Sequence, residues 1–330
     1  MTAFVISAML AIAAPIPKET LEAEAKFQRE VAVAREKAID FLKKAQTKDG
    51  NWENAKLTFL ADMKGGGTAL VTLALLEAGV KSDDPVIVSA VDYLVKLEPK
   101  KTYVVSLQTQ VLARADAKKH AKQLQANVDW LLKTSILKDK KLAGWSYPMN
   151  ELADNSNTHF AVVALHVAAE AGAKVDPKFW QQLRDFYAAT QRKDGGWAYY
   201  NMSPELEPST CSMTIAATLG LTFATKHDKD AKDPDPAFAK GIGYLVKDHA
   251  EFRKSASHGL FVTAELGRAL DTTEFKNGDK IWAWYREGTQ KLLKEQKEDG
   301  SWVLSKSVDG DAVLCTAFSL YFLGPPPAKK

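Results

Sequence analysis

The chain has 330 residues, of which 46% are hydrophobic and 26% are charged. That apolar content supports a sizeable core and argues against an intrinsically disordered protein. The 44 basic and 41 acidic residues give a net charge of +3 and are scattered along the chain. Because no dense basic block is present, we expect no nucleic-acid partner.

The N-terminus has the composition of a secretory signal peptide. Residues 3–14 are small and apolar apart from Ser7, and Ala11-Ile12-Ala13 precedes Pro15 as an A-x-A cleavage pattern. The segment lacks the usual basic n-region, and a short buried N-terminal helix is the alternative interpretation. We predict a signal peptide over residues 1–14 and a secreted or periplasmic, extracytoplasmic protein. Beyond it, no apolar run reaches the roughly 18 to 20 residues of a membrane span, so no integral membrane protein is expected.

The pattern Q-x-x-D-G-x-W occurs three times, which identifies an internal repeat. Its copies are Gln46, Asp49, Gly50 and Trp52; Gln191, Asp194, Gly195 and Trp197; and Gln296, Asp299, Gly300 and Trp302. Gly144-Trp145 is a partial copy, and Trp145 and Trp197 lie 52 residues apart. A unit of about 50 residues predicts further degenerate copies near positions 99 and 250, and six units in all.

Each unit combines two kinds of predicted helix. The segment before Asp-Gly is amphipathic, as in residues 31–45, and is expected to lie on the outside. The segment after the tryptophan is apolar on all sides and is expected to lie inside, as in residues 68–78, 157–171, 210–224 and 312–323. Asp-Gly supplies the turn, and we expect the tryptophan to fold back so that its indole N–H meets the glutamine side chain. Six such hairpins form an open α-solenoid or a closed ring.

The repeat resembles that of squalene and oxidosqualene cyclases and of protein prenyltransferase β subunits, over residues 31–323. More narrowly, segments 144–148, 154–158, 212–214 and 284–288 resemble secreted bacterial prenyltransferase and squalene-oxidase repeat proteins. The resemblance implies an all-α fold, a six-hairpin (α/α)6 toroid of inner and outer helices. It also implies a central cavity whose mouth is lined by inner-helix N-termini. We predict one toroid domain over residues 20–324 and a disordered tail over residues 325–330.

Class II terpenoid cyclases, to which the resemblance extends, carry a D-x-D-D-T segment whose middle aspartate is the proton donor. Residues 154–158 occupy the matching position, and Ser156 stands where that acid would be. A serine hydroxyl is too weak an acid, and Asp154 at a helix N-terminus is expected to stay ionised, so proton-initiated cyclisation is disfavoured. The catalytic candidates are Asp154, Ser156, Asn157 and His159. Helix capping is the alternative role for this segment.

The ligand-binding candidates are Tyr147, Tyr199 and Tyr200 on the turn side of the ring, and Asp309 and Asp311 at the edge of the sixth repeat. The inner helices carry few aromatic residues, so the lining is expected to be aliphatic and a poor host for carbocations. His159 and His166, seven positions apart, are expected to be core residues on one helical face.

No metal and no cofactor are predicted. Prenyltransferases hold zinc through a D-x-C pair and a distant histidine. The chain offers Asp154, His159, Cys211, Asp311 and Cys315 near inner-helix starts, without reproducing that pattern. The two cysteines also form no C-x-x-C pair and predict no disulfide scaffold.

Two functions remain open on the sequence. The first is a monomeric protein whose apolar cavity binds an isoprenoid or other small hydrophobic, lipid-like ligand, with catalysis undecided. The second is an extracytoplasmic scaffold that binds a protein or a glycan through aromatic surface clusters. For outer helix 6, which carries Trp282, Trp284 and Tyr285, the alternatives are a ring-closure contact and such a docking face.

Overall fold

A computed structural model describes residues 18–53, 63–147, 151–202, 206–231, 235–247, 249, 252, 257–304 and 311–326, with Lys18 and Ser257 as backbone only. The predicted signal peptide, Asp309 and residues 327–330 of the predicted tail lie outside these residues. In the described part of the chain, no helix is long and apolar enough to cross a membrane.

Twelve helices of the described residues alternate between an outer and an inner layer. The outer helices are α1 (Lys18–Ala45), α3 (Pro85–Leu94), α5 (Ala121–Lys133), α7 (Pro177–Thr190), α9 (Pro236–Lys247) and α11 (Trp284–Glu295). The inner helices are α2 (Gly66–Glu77), α4 (Thr102–Asp116), α6 (Asn155–Glu170), α8 (Cys211–His227), α10 (Ser257–Ala269) and α12 (Ala312–Phe322). The predicted degenerate copies near positions 99 and 250 are thus the units that contain α4 and α10.

The inner helices form a closed ring. Each packs on the next, in the order α2, α4, α6, α8, α10 and α12, and α12 packs on α2 again. The (α/α)6 toroid predicted from the repeat is therefore confirmed, and the open solenoid is wrong. Inner helices such as α8 are buried on nearly every side, because they contact neighbours in the ring as well as the outer layer.

Two short hairpins interrupt the helical pattern and were not predicted. Strands β1 (Ile136–Lys138) and β2 (Lys141–Gly144) follow α5, and strands β3 (Phe275–Asn277) and β4 (Lys280–Trp282) follow α10. Both pairs are antiparallel with two-residue connections. The first hairpin places Trp145 directly before the mouth of the ring.

The D-G-x-W turn joins the outer helix to the inner helix in three units, and Gly144-Trp145 takes its place in a fourth. The hydrogen bonds of these turns differ from the predicted ones. The indole N–H groups donate to backbone carbonyls in the last turn of the preceding outer helix, at 2.8 to 3.0 Å, and not to the glutamines: Trp52 to Leu42, Trp145 to Leu131, Trp197 to Tyr187 and Trp302 to Leu292. The prediction of an indole–glutamine bond is wrong. A carbonyl oxygen has two lone pairs, so a carbonyl of the last helical turn accepts the indole even where, as in Tyr187 and Leu292, it also accepts the backbone N–H of the glutamine.

The glutamines instead connect neighbouring outer helices. Each side-chain amide donates to the carbonyl of its own turn glycine and to a carbonyl of the next outer helix: Gln46 to Gly50 and Val86, Gln191 to Gly195 and Ala237, and Gln296 to Gly300 and Ala34.

A threonine completes the repeat and was missed in the sequence. Its hydroxyl accepts the backbone N–H of the turn tryptophan in four units, at 3.0 to 3.2 Å, from Thr68, Thr158, Thr214 and Thr316. All four threonines lie near the start of an inner helix, so in these units the hydrogen bond fixes the position of the inner-helix N-terminus relative to the turn. The variable loop between tryptophan and threonine hid this pairing.

Candidate functional site

The start of α6 holds a buried polar cluster at the mouth of the ring. Asp154 is the N-cap residue, and its carboxylate accepts the Asn157 backbone N–H at 2.7 Å and the Asn157 side-chain amide at 2.9 Å. The Ser146 hydroxyl adds a third bond at 3.1 Å. Asp154 thus makes the capping contact that the sequence offered as the alternative to catalysis.

Burial changes the expected electrostatics of this carboxyl. It raises the pKa of Asp154 above the ordinary value, and the bonds from Asn157 and Ser146 oppose that rise. The sequence argument for an ionised Asp154 considered the helix N-terminus and omitted the cost of removing the carboxylate from water. The pKa of Asp154 is therefore the balance of burial, which raises it, and of these hydrogen bonds, which lower it.

Three of the predicted residues from the neighbouring loops reach the same mouth. Asn157 lies beside the Tyr147 hydroxyl and Ser156 lies beside the Tyr199 hydroxyl, and each neighbour lowers the pKa of its tyrosine. The rings of Tyr199 and Tyr200 lie edge to face with centroids 4.9 Å apart. Burial raises the pKa of both Tyr147 and Tyr199, so each stays a neutral donor at ordinary pH.

Asp311 lies apart from this cluster. It is the N-cap of α12 and accepts the backbone N–H groups of Val313 and Leu314 at 2.9 and 3.2 Å. Its helix packs beside α2 and α10, whereas Asp154 begins α6. Asp309, its predicted companion, lies outside the described residues.

His159 points from α6 into the ring and meets a carboxylate from a helix that is not its neighbour. Its Nε2 lies 2.7 Å from Oε2 of Glu265 on α10, and the two side chains are 1% and 4% exposed. Since α8 stands between α6 and α10 in the ring, this pair spans the interior. His159 is thus a buried core residue, as the sequence predicted, and it also forms one half of a polar pair that the sequence did not predict.

The interior around this pair is aromatic. Phe261 on α10 lies 4.4 Å from Tyr321 and 5.4 Å from Phe318 on α12, between ring centroids. Phe160 lies 4.7 Å from Tyr103 on α4 and 6.1 Å from Phe261. The prediction of an aliphatic lining is wrong because it counted aromatic residues along single helices. Aromatic residues from the four helices α4, α6, α10 and α12 meet in the interior of the ring.

Several buried polar atoms in this region have no hydrogen-bond partner among the described residues. On α4 they are Ser106 Oγ and both side-chain polar atoms of Gln110, and His159 Nδ1 and Glu265 Oε1 add to them. Gln108 on α4 faces outward, since it donates to Leu94 of the outer layer. Ser106 and Gln110 occupy the opposite, inward face of that helix. Buried polar groups normally have partners, so these atoms call for water or a ligand.

The aromatic residues of the last outer unit are not available to a partner. Trp282 lies in β4, not in the helix as predicted, and Trp282, Trp284 and Tyr285 are all buried. Trp284 packs edge to face on Phe322 of α12, at 5.6 Å. Helix α11 also contacts α1 of the first unit and α10 of the fifth. The closure contact is therefore confirmed, and the docking face through these three residues is wrong. Trp145 and Trp197 are also fully buried.

Comparison with known proteins agrees with this architecture. No protein-family model matches the chain. A squalene–hopene cyclase of Bradyrhizobium diazoefficiens is 29% identical over 168 residues, which cover 48% of this chain and only 23% of that cyclase. The type II terpene cyclase MstE from Scytonema, in complex with geranylgeranyl dihydroxybenzoate, superimposes with a TM-score of 0.60 at 15% identity, over 91% of this chain and 97% of that one. The apo form of MstE superimposes with a TM-score of 0.55 at 16% identity, over 89% of this chain and 98% of that one.

The chain has a terpenoid cyclase-like fold. Within this terpenoid cyclase-like toroid, the mouth cluster brings together Asp154, Ser156, Asn157 and the tyrosines that the sequence named separately. The interior residues Ser106, Gln110 and Glu265 were missed. The signal that could have found them is a polar residue on an otherwise apolar inner helix, which in a ring has only the interior to face.

Proposed function

We propose that this protein binds an isoprenoid or other lipid-like molecule in the interior of its helical ring. The observation that supports this most is the buried set of unpartnered polar atoms on Ser106, Gln110, His159 and Glu265 beside converging aromatic rings. Aromatic faces suit an apolar or unsaturated chain, and a few polar groups orient it. The neighbour MstE, whose substrate joins a geranylgeranyl chain to a polar ring, supports the same class of ligand.

The mouth offers a route for such a ligand. Large apolar residues on the two loops beside the tyrosines remain exposed: Leu152, Tyr199, Met202 and Leu206. Exposed apolar side chains beside the polar cluster at the mouth favour contact with an apolar molecule before it enters the ring. An extracytoplasmic location, as the N-terminal sequence predicts, is part of the proposal.

Ordinary proton-initiated cyclisation is disfavoured in this proposal. Ser156 stands at the position of the acid and lies beside the Tyr199 hydroxyl. Asp154, whose pKa is raised, already accepts three hydrogen bonds as a helix cap. A carboxylate engaged in this way is a positioning group for α6 and a poor proton donor to an alkene.

The test is native mass spectrometry of the full chain, first as purified gently from its own host and then with added geranylgeraniol. We expect a discrete excess mass of lipid size at one molecule per chain. Ser106→Met, which fills the inward face of α4, should remove it. Ala189→Met, at an exposed position of α7, should not. Gln110→Leu keeps the volume and removes polar atoms, so it should weaken binding while circular dichroism reports an intact fold.

The scaffold remains the second candidate, supported by the exposed rim at the mouth and no longer by the buried tryptophans. If no lipid-sized mass binds to the folded chain, the ring interior is only core, and the rim becomes the binding surface. Leu206→Ser, at a residue that is 74% exposed, would then remove partner binding without affecting the interior.

A further inference from the structure

The opposite end of α6 carries a second cluster of side chains with metal-binding chemistry. His166 and Glu170 lie one helical turn apart on α6, and His227 is the last residue of α8, its neighbour in the ring. One ligand atom from each of the three lies within 4.8 Å of the others. His166 Nδ1 is 2.8 Å from His227 Nε2, and that Nε2 is 3.7 Å from Glu170 Oε1.

Both imidazoles are held in place by aromatic stacking. The ring of His166 lies parallel to Phe223, with centroids 3.7 Å apart, and the ring of His227 lies nearly parallel to Trp180 at 4.2 Å. Lys226 donates to Oε2 of Glu170 at 2.6 Å, which leaves Oε1 turned toward the histidines. Fixed rings and an oriented carboxylate are the supports that metal ligands have in proteins.

We propose that His166, Glu170 and His227 form a binding site for a divalent transition metal of the zinc class. Two imidazole nitrogens and one carboxylate oxygen are three ligands of a tetrahedral zinc site, and the fourth position would stay open to water. Zinc bonds of about 2.0 to 2.2 Å separate neighbouring ligand atoms by roughly 3.3 Å. The two nitrogens therefore need to separate by about half an ångström and the carboxylate to approach by a similar amount.

The protonation state suits this occupancy. His166 Nδ1 and His227 Nε2 lie at hydrogen-bond distance, 2.8 Å apart, so at least one of these two nitrogens is an unprotonated acceptor. The hydrogen bond between them holds one N–H. On metal binding the ring that carries it becomes the other tautomer, with its proton on the ring nitrogen facing away from the metal.

The charge of the cluster decides which metals fit. Lys226 offsets the charge of Glu170, and Arg114 adds positive potential near His166. Mg²⁺ and Ca²⁺ need several oxygen ligands and net negative charge, and they find one carboxylate here. Nitrogen-rich ligation favours Zn²⁺, Ni²⁺ or Cu²⁺. This site is separate from the interior pair, since His159 and His166 are about 10.5 Å apart along α6 at 1.5 Å per residue.

The experiment is isothermal titration of the chelator-treated full chain with ZnCl2, and with MgCl2 in parallel. We expect one Zn²⁺ per chain, no Mg²⁺ binding, and a cobalt spectrum typical of tetrahedral nitrogen and oxygen ligation. His227→Gln should abolish the stoichiometric site, and Glu170→Gln should weaken it at least tenfold. His120→Gln, at the histidine that precedes α5 and lies outside the cluster, should leave zinc binding unchanged.

Stoichiometric binding that survives both His227→Gln and Glu170→Gln would overturn the proposal, as would the absence of Zn²⁺ binding to the folded chain. The Glu170 side chain is 46% exposed, so Glu170→Gln should fold and still tests the metal site even if His227→Gln fails to fold. Lipid binding in the interior should be the same with and without the metal, which keeps the two proposals separable.

Discussion

Gln296 on α11 donates to the backbone carbonyl of Ala34 on α1 at 2.8 Å, although the two residues lie 262 positions apart. Gln46 and Gln191 make the same contact with Val86 and Ala237 in the units that follow them. The sixth unit thus meets the first through the interaction that joins other neighbouring units. Ring closure therefore uses the same contact as the repeat. The part of α1 before about residue 33 extends beyond the outer helix of the first repeat unit.

Replacing Gln296 tests this closure. Gln296→Ala removes the bonds to Ala34 and Gly300, and at about 1 kcal/mol for each bond we expect a loss of about 1 to 3 kcal/mol in the free energy of unfolding. Gln290→Ala, at an exposed position of the same helix, should change it by less than about 0.5 kcal/mol. Urea unfolding followed by circular dichroism measures both. Equal effects of the two changes would show that the contact does not hold the ring.

The turn glycine is a separate test of the same interface. Gly300 has φ of +88°, and a Cβ there would meet the backbone carbonyl of Lys37 on α1. Gly79 has φ of +93° and open space around its Cα. Alanine at either site carries the left-handed backbone cost of about 1 to 2 kcal/mol. Only Gly300→Ala adds the clash with Lys37. We therefore expect Gly300→Ala to lower the free energy of unfolding by about 1 to 3 kcal/mol more than Gly79→Ala does.

The spacing in the sequence predicted the six hairpins but left the open solenoid and the closed ring as alternatives, and it did not specify the hydrogen bonds of the turns. The Q-x-x-D-G-x-W pattern and the apolar helices that follow it predict six hairpins, because a helix buried on all sides needs neighbours on all sides. The partner of Trp197 was predicted wrongly, since its indole reaches the carbonyl of Tyr187 and not Gln191. Side-chain partners of this kind depend on which carbonyl of the last helical turn the indole can reach, and residue types alone do not specify that carbonyl.

The threonine that the sequence analysis missed makes its own prediction. The hydroxyl of Thr214 accepts the Trp197 backbone N–H at 3.1 Å and donates to Thr210. Thr218, on the same helix and equally buried, makes only the donation to the carbonyl four residues back. Thr214→Val leaves a buried N–H without a partner, so it should cost about 1 to 3 kcal/mol more than Thr218→Val in thermal or urea unfolding. If Thr214→Val costs no more than Thr218→Val, the hydrogen bond from Trp197 to Thr214 does not stabilise the turn.

The mouth was more predictable than the interior for a physical reason. Asp154 and Asn157 share one helix start, so sequence proximity brings them together. His159 and Glu265 lie on different helices, and only the closed ring places them 2.7 Å apart. A contact across the interior depends on the tilt and rotation of six helices, and the repeat period fixes neither.

The stability of the fold should fall in acid because of His258, which lies among the interior aromatic rings. Burial, with a smaller contribution from the charge of His159, lowers the pKa of His258 from 6.5 to about 4. Between these values the unfolded chain binds the proton and the folded chain does not, so the free energy of unfolding decreases as the pH falls from 6.5 to 4. A difference of this size corresponds to roughly 3 kcal/mol, fully present above pH 6.5 and lost by pH 4. His258→Asn should flatten the dependence in that interval while both curves run parallel between pH 7 and 8. Urea midpoints across the range measure it, and an unchanged slope in the variant would mean that other groups cause the loss in acid.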